Sequence, residues 1–235
     1  MAGRRMNKDT REIHDRLVDR LREEQTRAPK SPEWRKLESE LQANGIDPTD
    51  LGIFSSVVPT TFDYEAAAPI LVRWLPRLSD PVEKEVLARS LTGVKAARSQ
   101  AARAIVAAFR NADIEAESEK WAYGNALSTL ADDEIADDLL ELVLDRRHGR
   151  ARQMLCDALK RTKDPRAPDA LIDLIDDDDI AGHAISALRS YGPKSSLQHL
   201  RRARPKLEAV LKRRTASPLA KRQAQKALER LTASS

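Results

Sequence analysis

The segment 164–192, DPRAPDALIDLIDDDDIAGHAISALRSYG, restricts what this chain can fold into more than any other stretch. Asp164 is placed to cap a helix, with Pro165 at the first helical position, where its missing N–H is no loss. Ala167, Leu171, Leu174 and Ile175 follow at helical spacing and form one apolar stripe. The acidic run 176–179 ends that helix and opens another. Ala181, Ile185 and Leu188 make the second stripe, and Gly192-Pro193 stops it. Two short amphipathic helices joined by a tight turn cannot bury their apolar faces alone, whereas stacked copies can.

The copies are present. An Ala-Leu pair late in the second helix recurs as Ala126-Leu127, Ala158-Leu159, Ala187-Leu188 and Ala227-Leu228, with spacings of 32, 29 and 40 residues. A partner helix precedes each pair: 97–111 before 117–131, then 132–146, and finally 195–215, where Pro205 is expected to break or kink the helix. An earlier hairpin is expected over 64–78 and 81–92, with Ser79-Asp80-Pro81 as its cap and first-turn proline. The pattern gives about five hairpins. Residues 1–63 differ: a highly charged helix over 8–27, a helix over 33–44 ended by Gly45, and a loop from Ile46 to Phe62. The expected organisation is an N-terminal helical cap over 1–63 and a repeat array over 64–235. Composition agrees with an all-α chain, since aromatic residues are only 4% and β-branched residues are few.

The segment DPRAPDALIDLIDDDD-IAGHAISALRSYGP resembles the HEAT-like repeats first associated with phycobilisome lyases. Their pattern is Asp-Pro-Arg-Ala, an apolar helix, an Asp-rich turn, and a small-residue helix ending in Ala-Leu and Gly. Residues 132–163 share the apolar helix and the Ala-Leu ending but lack the Asp-Pro start. The resemblance implies an all-α, right-handed alpha-alpha superhelix of the HEAT/ARM-like kind, with a concave surface for partners. It leaves function open, because such repeats serve lyases, DNA glycosylases, adaptors and regulators alike.

Charge comes in blocks. Residues 112–145 hold eleven acids and a single cation, Lys120. Two basic blocks follow, at 146–163 and 194–230, which open at Arg146 and Lys194 and close at Lys163 and Arg230. Blocks of this kind serve partner surfaces or pair neighbouring helices with each other. Arg146 and Arg147 end one helix, where cations complement the dipole, but Arg150 and Arg152 open the next, where they oppose it. The acids at 176–179 are one candidate partner for them, and an anionic ligand is the other. Those four aspartates lack the ligand spacing, central Gly and terminal Glu of a calcium loop; capping of the following helix accounts for them.

Trp121 and Asn125 lie one turn apart on a helix and share a face. Trp121 either fills a gap between repeats or stacks on a ligand. His183 falls in register with Met154 and Ala122, near the start of a second helix, and reads as an ordinary hydrogen-bonded histidine. Cys156, the one cysteine, sits in MLCDAL and suits a buried inert thiol; it excludes an intramolecular disulfide and points to a reducing cytoplasm. The N-terminus lacks the apolar core of a signal peptide, and no window approaches a membrane span. No nucleophile elbow, P-loop or dinucleotide fingerprint occurs, and no metal or cofactor is expected.

The leading expectation is a non-enzymatic scaffold that binds a protein partner along the inner row of second helices, through Arg89, Trp121, Asn125, Arg150, Arg152, Gln153 and His183. The alternative is a nucleic-acid-binding protein similar to the HEAT-like alkylpurine DNA glycosylases, using Trp121 and the two basic blocks against phosphate. No aspartate aligns with a catalytic motif of that family. A bilin-lyase-like role is a third option, though nothing in the sequence demands a chromophore.

Overall fold

A computed structural model of the chain describes residues 30–52 and 62–234. The charged helix expected over 8–27 and most of the loop expected over 46–62 lie outside the described residues. Those described are helical, with turns and no strand. No described helix is long and apolar enough to cross a membrane. The chain divides into two compact units, one ending at Ala97 and one beginning at Arg98.

In the first unit, helix α1 (Pro32–Ala43) starts where Ser31 Oγ accepts from Trp34 N at 3.0 Å, with Pro32 at its first position. It stops at Gly45, whose positive φ of 75° is readily adopted without a Cβ and lets Ile46 N reach back to Leu41 O at 3.0 Å. Trp34, Leu37 and Leu41 form its buried face. Helix α2 (Tyr64–Trp74) is capped by Asp63 and runs into a 3-10 turn at Leu75–Arg77. Helix α3 (Pro81–Leu91) begins as the sequence indicates, with Asp80 Oδ1 accepting from Val82 N at 2.8 Å and Glu83 N at 3.0 Å. Helix α1 packs on α2, and α2 on α3. The Glu83 carboxylate accepts from Ser31 N at 2.8 Å and Ser31 Oγ at 2.6 Å, and Glu40 accepts from Trp74 Nε1 at 2.6 Å. These bonds tie the segment before residue 63 to the first hairpin.

The second unit contains α4 (Arg98–Asn111), α5 (Glu117–Leu130), α6 (Ala136–Leu144), α7 (Gln153–Arg161), α8 (Ala167–Asp173), α9 (Ala181–Arg189), α10 (Pro193–Lys212) and α11 (Pro218–Thr232). Odd and even helices form separate rows. Helices α4, α6, α8 and α10 pack in that order, as do α5, α7, α9 and α11, and each member of one row packs on its chain neighbour in the other. The apolar stripes read from the sequence lie between the rows: Ile105, Leu139, Leu171 and Leu207 from one, Leu127, Leu159, Leu188 and Ala227 from the other, all essentially inaccessible. Burial of side chains of this size contributes about 1.5–3 kcal/mol each relative to exposure.

Three expectations need correction. Residues 132–146 are not one helix; a 3-10 turn at Asp133–Ile135 precedes α6, and Asp145 ends it. Pro205 does not break its helix: α10 continues through it for 20 residues. The carbonyl that loses its donor belongs to Arg201, and both Arg201 and Pro205 are exposed, so that carbonyl is not left in a buried setting. The run 176–179 is not a row of equivalent helix caps. Only Asp177 turns inward, with Oδ1 accepting from Asp179 N at 3.2 Å, while Asp176 and Asp178 reach cations on or just after α10.

Candidate functional site

Successive even helices are joined by ion pairs between residues about thirty positions apart. Arg103 of α4 meets Glu134, and Arg110 of α4 meets Asp138 at 2.8 Å and also Glu141. Arg166, just before α8, meets Asp137 of α6 at 2.5 Å. Asp169 and Asp173 of α8 meet Arg202 at 2.5 Å and Lys206 at 3.0 Å on α10. Most of these pairs are exposed and contribute about 0–1 kcal/mol each, so their value lies in setting which helix faces which. Much of the block charge seen in the sequence is thus internal pairing.

Arg152 is the largest fully buried side chain of the unit and not a groove residue. Its Nη1 donates to Val143 O at 3.1 Å, its Nε to Gly149 O at 2.9 Å, and its Nη2 to Asp177 Oδ2 at 2.9 Å. One guanidinium therefore holds the C-terminal end of α6, the turn Arg146–Arg152 and the turn before α9. Gly149 permits this turn, with φ 49° and ψ −132°. The expectation that Arg152 faces a partner is overturned; its position against the helix dipole is explained by Asp177. Gln153 is likewise half engaged, its Nε2 donating to Asp179 O at 2.9 Å.

The other expected residues of this unit are exposed or half-buried. Trp121 is 43% exposed and does not fill a gap between repeats. One turn along, Gly124 brings α5 against the start of α7: a Cβ there would stand 3.1 Å from Met154 Cβ and 3.5 Å from Ala151 O. Asn125 is half-buried beside it, and Arg150 is exposed. His183 on α9 is half-buried and within electrostatic reach of Arg150 and Asp157; burial pushes its pKa down, so it is neutral near pH 7. Trp121 and Asn125 thus lie on α5, Arg150 in the turn Arg146–Arg152 before α7, and His183 on α9. Arg89 belongs to α3 of the first unit, where it pairs with Glu85 one turn earlier.

A second feature was missed from sequence. A cleft of about 330 Å³ opens between the C-terminal ends of α4 and α6, the start of α5 and the turn Arg146–Arg152. In its wall Lys120 is fully buried, with Nζ 3.1 Å from His148 Nδ1 and 5.6 Å from the Phe109 ring centre. His148 stands edge-on to Phe109 at 5.1 Å. Burial pushes the Lys120 pKa down, and burial followed by the nearby ammonium does the same to His148. Lys120 therefore donates to a neutral imidazole. Asp145 accepts three bonds from the Arg147 side chain, at 2.6–3.0 Å, and these hold its pKa down at about 2. The sequence signal for this site is Lys120 itself, the lone cation of the acidic block. Compared with protein-family models, curated proteins and solved structures, the chain matched none.

Proposed function

We propose that the second unit is a HEAT-like array that binds a protein partner on the surface formed by α5, α7 and α9, with Trp121 as its anchor. The two packed rows of short helices support the array, as does the repeated Ala-Leu phase of the odd helices. The observation that carries the binding reading is the 43% exposure of Trp121, in a unit where Arg150 is also exposed. Trp and Arg are the residue types enriched at interface centres. Nucleic acid is the weaker reading. Arg202, Lys206 and Arg213 are engaged by aspartates, and no Trp, Tyr or Phe lies on α10 or α11 to stack bases.

The test is site-specific photo-crosslinking in the native cells, with the reactive residue at position 121 or, as a control, at the exposed position 107 of α4. A discrete adduct from 121 alone, resistant to nuclease, is the expected result. An adduct removed by nuclease, or equal crosslinking from both positions, refutes the proposal.

A further inference from the structure

From the outer flank of the hairpin α10–α11 we infer a docking surface for an acidic amphipathic helix presented by a partner polypeptide. It involves neither Trp121 nor the helix that carries it. Helix α10 has three stripes. Leu200, Ala203, Leu207 and Val210 belong to its buried face, and Arg202 and Lys206 reach the aspartates of α8. The third stripe runs Leu197, Arg201, Arg204, Glu208 and Leu211, spaced alternately by four and three residues, so it follows one face. At about 100° per residue, it lies across the buried face from Arg202 and Lys206, on the flank turned away from α8. Helix α11 repeats the arrangement. Its Leu219 meets Gly182 of α9, its Gln223 and Arg230 meet Arg189, and Ala220, Ala224 and Ala227 are buried. Lys221 and Leu228 then fall on the flank turned away from α9.

The side chains of this flank select the occupant. Leu197 and Leu228 are half-buried, and Leu211 is 36% exposed. Arg201 and Arg204 are exposed and Lys221 partly so, and none of the three forms an ion pair among the described residues. Three leucines are thus framed by three cations, against the single acid Glu208. In arrays of this kind a flank that meets only water is polar. The inner junctions of the unit show what such a flank takes. Cationic α4 meets acids of and just before α6 through Arg103–Glu134 and Arg110–Asp138, with Leu139 buried behind them. Cationic α10 meets acidic α8 through Arg202–Asp169 and Lys206–Asp173, with Leu171 buried behind them. The outer flank has the same apolar and cationic chemistry and no acidic helix against it. Nucleic acid fits less well, because phosphates engage the cations but leave the leucines without apolar contact and bring charge against Glu208.

The experiment is fluorescence anisotropy with the full-length protein at about 0.1 M salt. The probe is a labelled peptide of about five helical turns, made of leucine, alanine and glutamate with its leucines on one face. The same residues scrambled, so that the leucines share no face, and a labelled DNA duplex are the controls. Saturable binding of the amphipathic peptide is expected, with Kd of order tens of micromolar, and at least about fivefold weaker binding of both controls. Arg204→Glu and Leu211→Ser are each expected to weaken binding about fivefold. Arg161→Glu, the same charge change at an exposed position of α7, is expected to leave it unchanged. All three altered side chains are exposed, and an unchanged Tm confirms that each variant folds. Absence of saturable binding, the scrambled peptide or the duplex binding as tightly as the amphipathic one, or equal weakening by Arg204→Glu and Arg161→Glu overturns the surface.

Discussion

Replacing Arg152 by methionine tests how the second unit is held together. The substitution keeps an unbranched chain of similar reach but removes bonds to Val143 O, Gly149 O and the Asp177 carboxylate. Hydrogen bonds to charged groups contribute about 1.5–3 kcal/mol each, but simple addition overstates the loss, because methionine still fills the volume. The larger effect is on Asp177, whose side chain is 8% exposed and would be left buried without its partner. Removing one member of a buried pair costs about 3–5 kcal/mol. Arg146 Nε stands 3.6 Å from the same Asp177 oxygen and Asp179 N donates to the other, so some compensation remains. The expected loss is therefore near the lower end, about 3 kcal/mol. For a unit of this size that lowers Tm by roughly 10 °C.

The assay is urea unfolding followed by Trp121 fluorescence, since the other two tryptophans, Trp34 and Trp74, lie in the first unit. Asp177→Asn and the double variant complete a cycle. The double variant is expected to be less damaged than the sum of the single ones, because neither charge is then left alone. Because an array is held by neighbour contacts, Arg152→Met is also expected to broaden the transition as the flanking hairpins separate. A loss under about 1 kcal/mol, or strict additivity in the cycle, would show that Arg152 is not the clamp described here.

Gly182→Ala is expected to cost about 1–3 kcal/mol in the same assay, because its Cβ would stand 2.8 Å from Leu219 Cγ and 3.1 Å from Ala220 N, where α9 meets α11. Gly124→Ala is expected to be nearly neutral, since a 3.1 Å approach to Met154 Cβ is offset by about 1 kcal/mol of helix propensity. Cys156, fully buried and with burial pushing its pKa up, is expected to react with a thiol reagent only as fast as the unit opens; prompt labelling of the native protein would contradict its burial. Asp145 has its pKa lowered from 3.8 to about 2, so its stabilisation is complete above its ordinary pKa and is lost as pH falls toward 2. Asp145→Asn is accordingly expected to flatten the acid limb of a Tm-versus-pH curve between 4 and 2, and an unchanged limb would count against the Asp145–Arg147 pairing.

The helix pairs are legible in the sequence because their determinants are local. Asp80-Pro81, Ser31-Pro32 and Gly45 act within one turn, and an apolar stripe needs only its own spacing. Arg152 was partly legible: its conflict with the helix dipole left two candidate partners, the acids at 176–179 or an anionic ligand. Which aspartate, and that the pair is buried, depends on Gly149 folding the turn back, a long-range outcome. Lys120 was not legible as a buried group, since a lysine among acids normally reads as a solvated side chain. Its burial comes from Phe109 and His148, separated from it by 11 and 28 residues and joined only by packing. For Trp121 the spacing fits either packing or contact, and only its exposure decides against packing.

The placement of the buried arginine follows from the charge order of the even helices. Helix α4 carries only cations, α6 only acids, α8 only acids, and α10 mostly cations. Stacking them in chain order therefore gives two attractive junctions, α4 on α6 and α8 on α10, and one junction of like charge, α6 on α8. The attractive junctions are served by exposed or partly exposed pairs, among them Arg103–Glu134 and Arg202–Asp169. The repulsive one has two further devices. Arg166 supplies a cation at the edge of α8 for Asp137, and Arg152 bridges from the end of α6 to Asp177 beyond α8. A buried ion pair adds little net stability over an apolar core, but it is specific about its partner. Here it fixes the one neighbour relation that surface charge opposes, so the unpaired form of either residue should disturb this junction before any other.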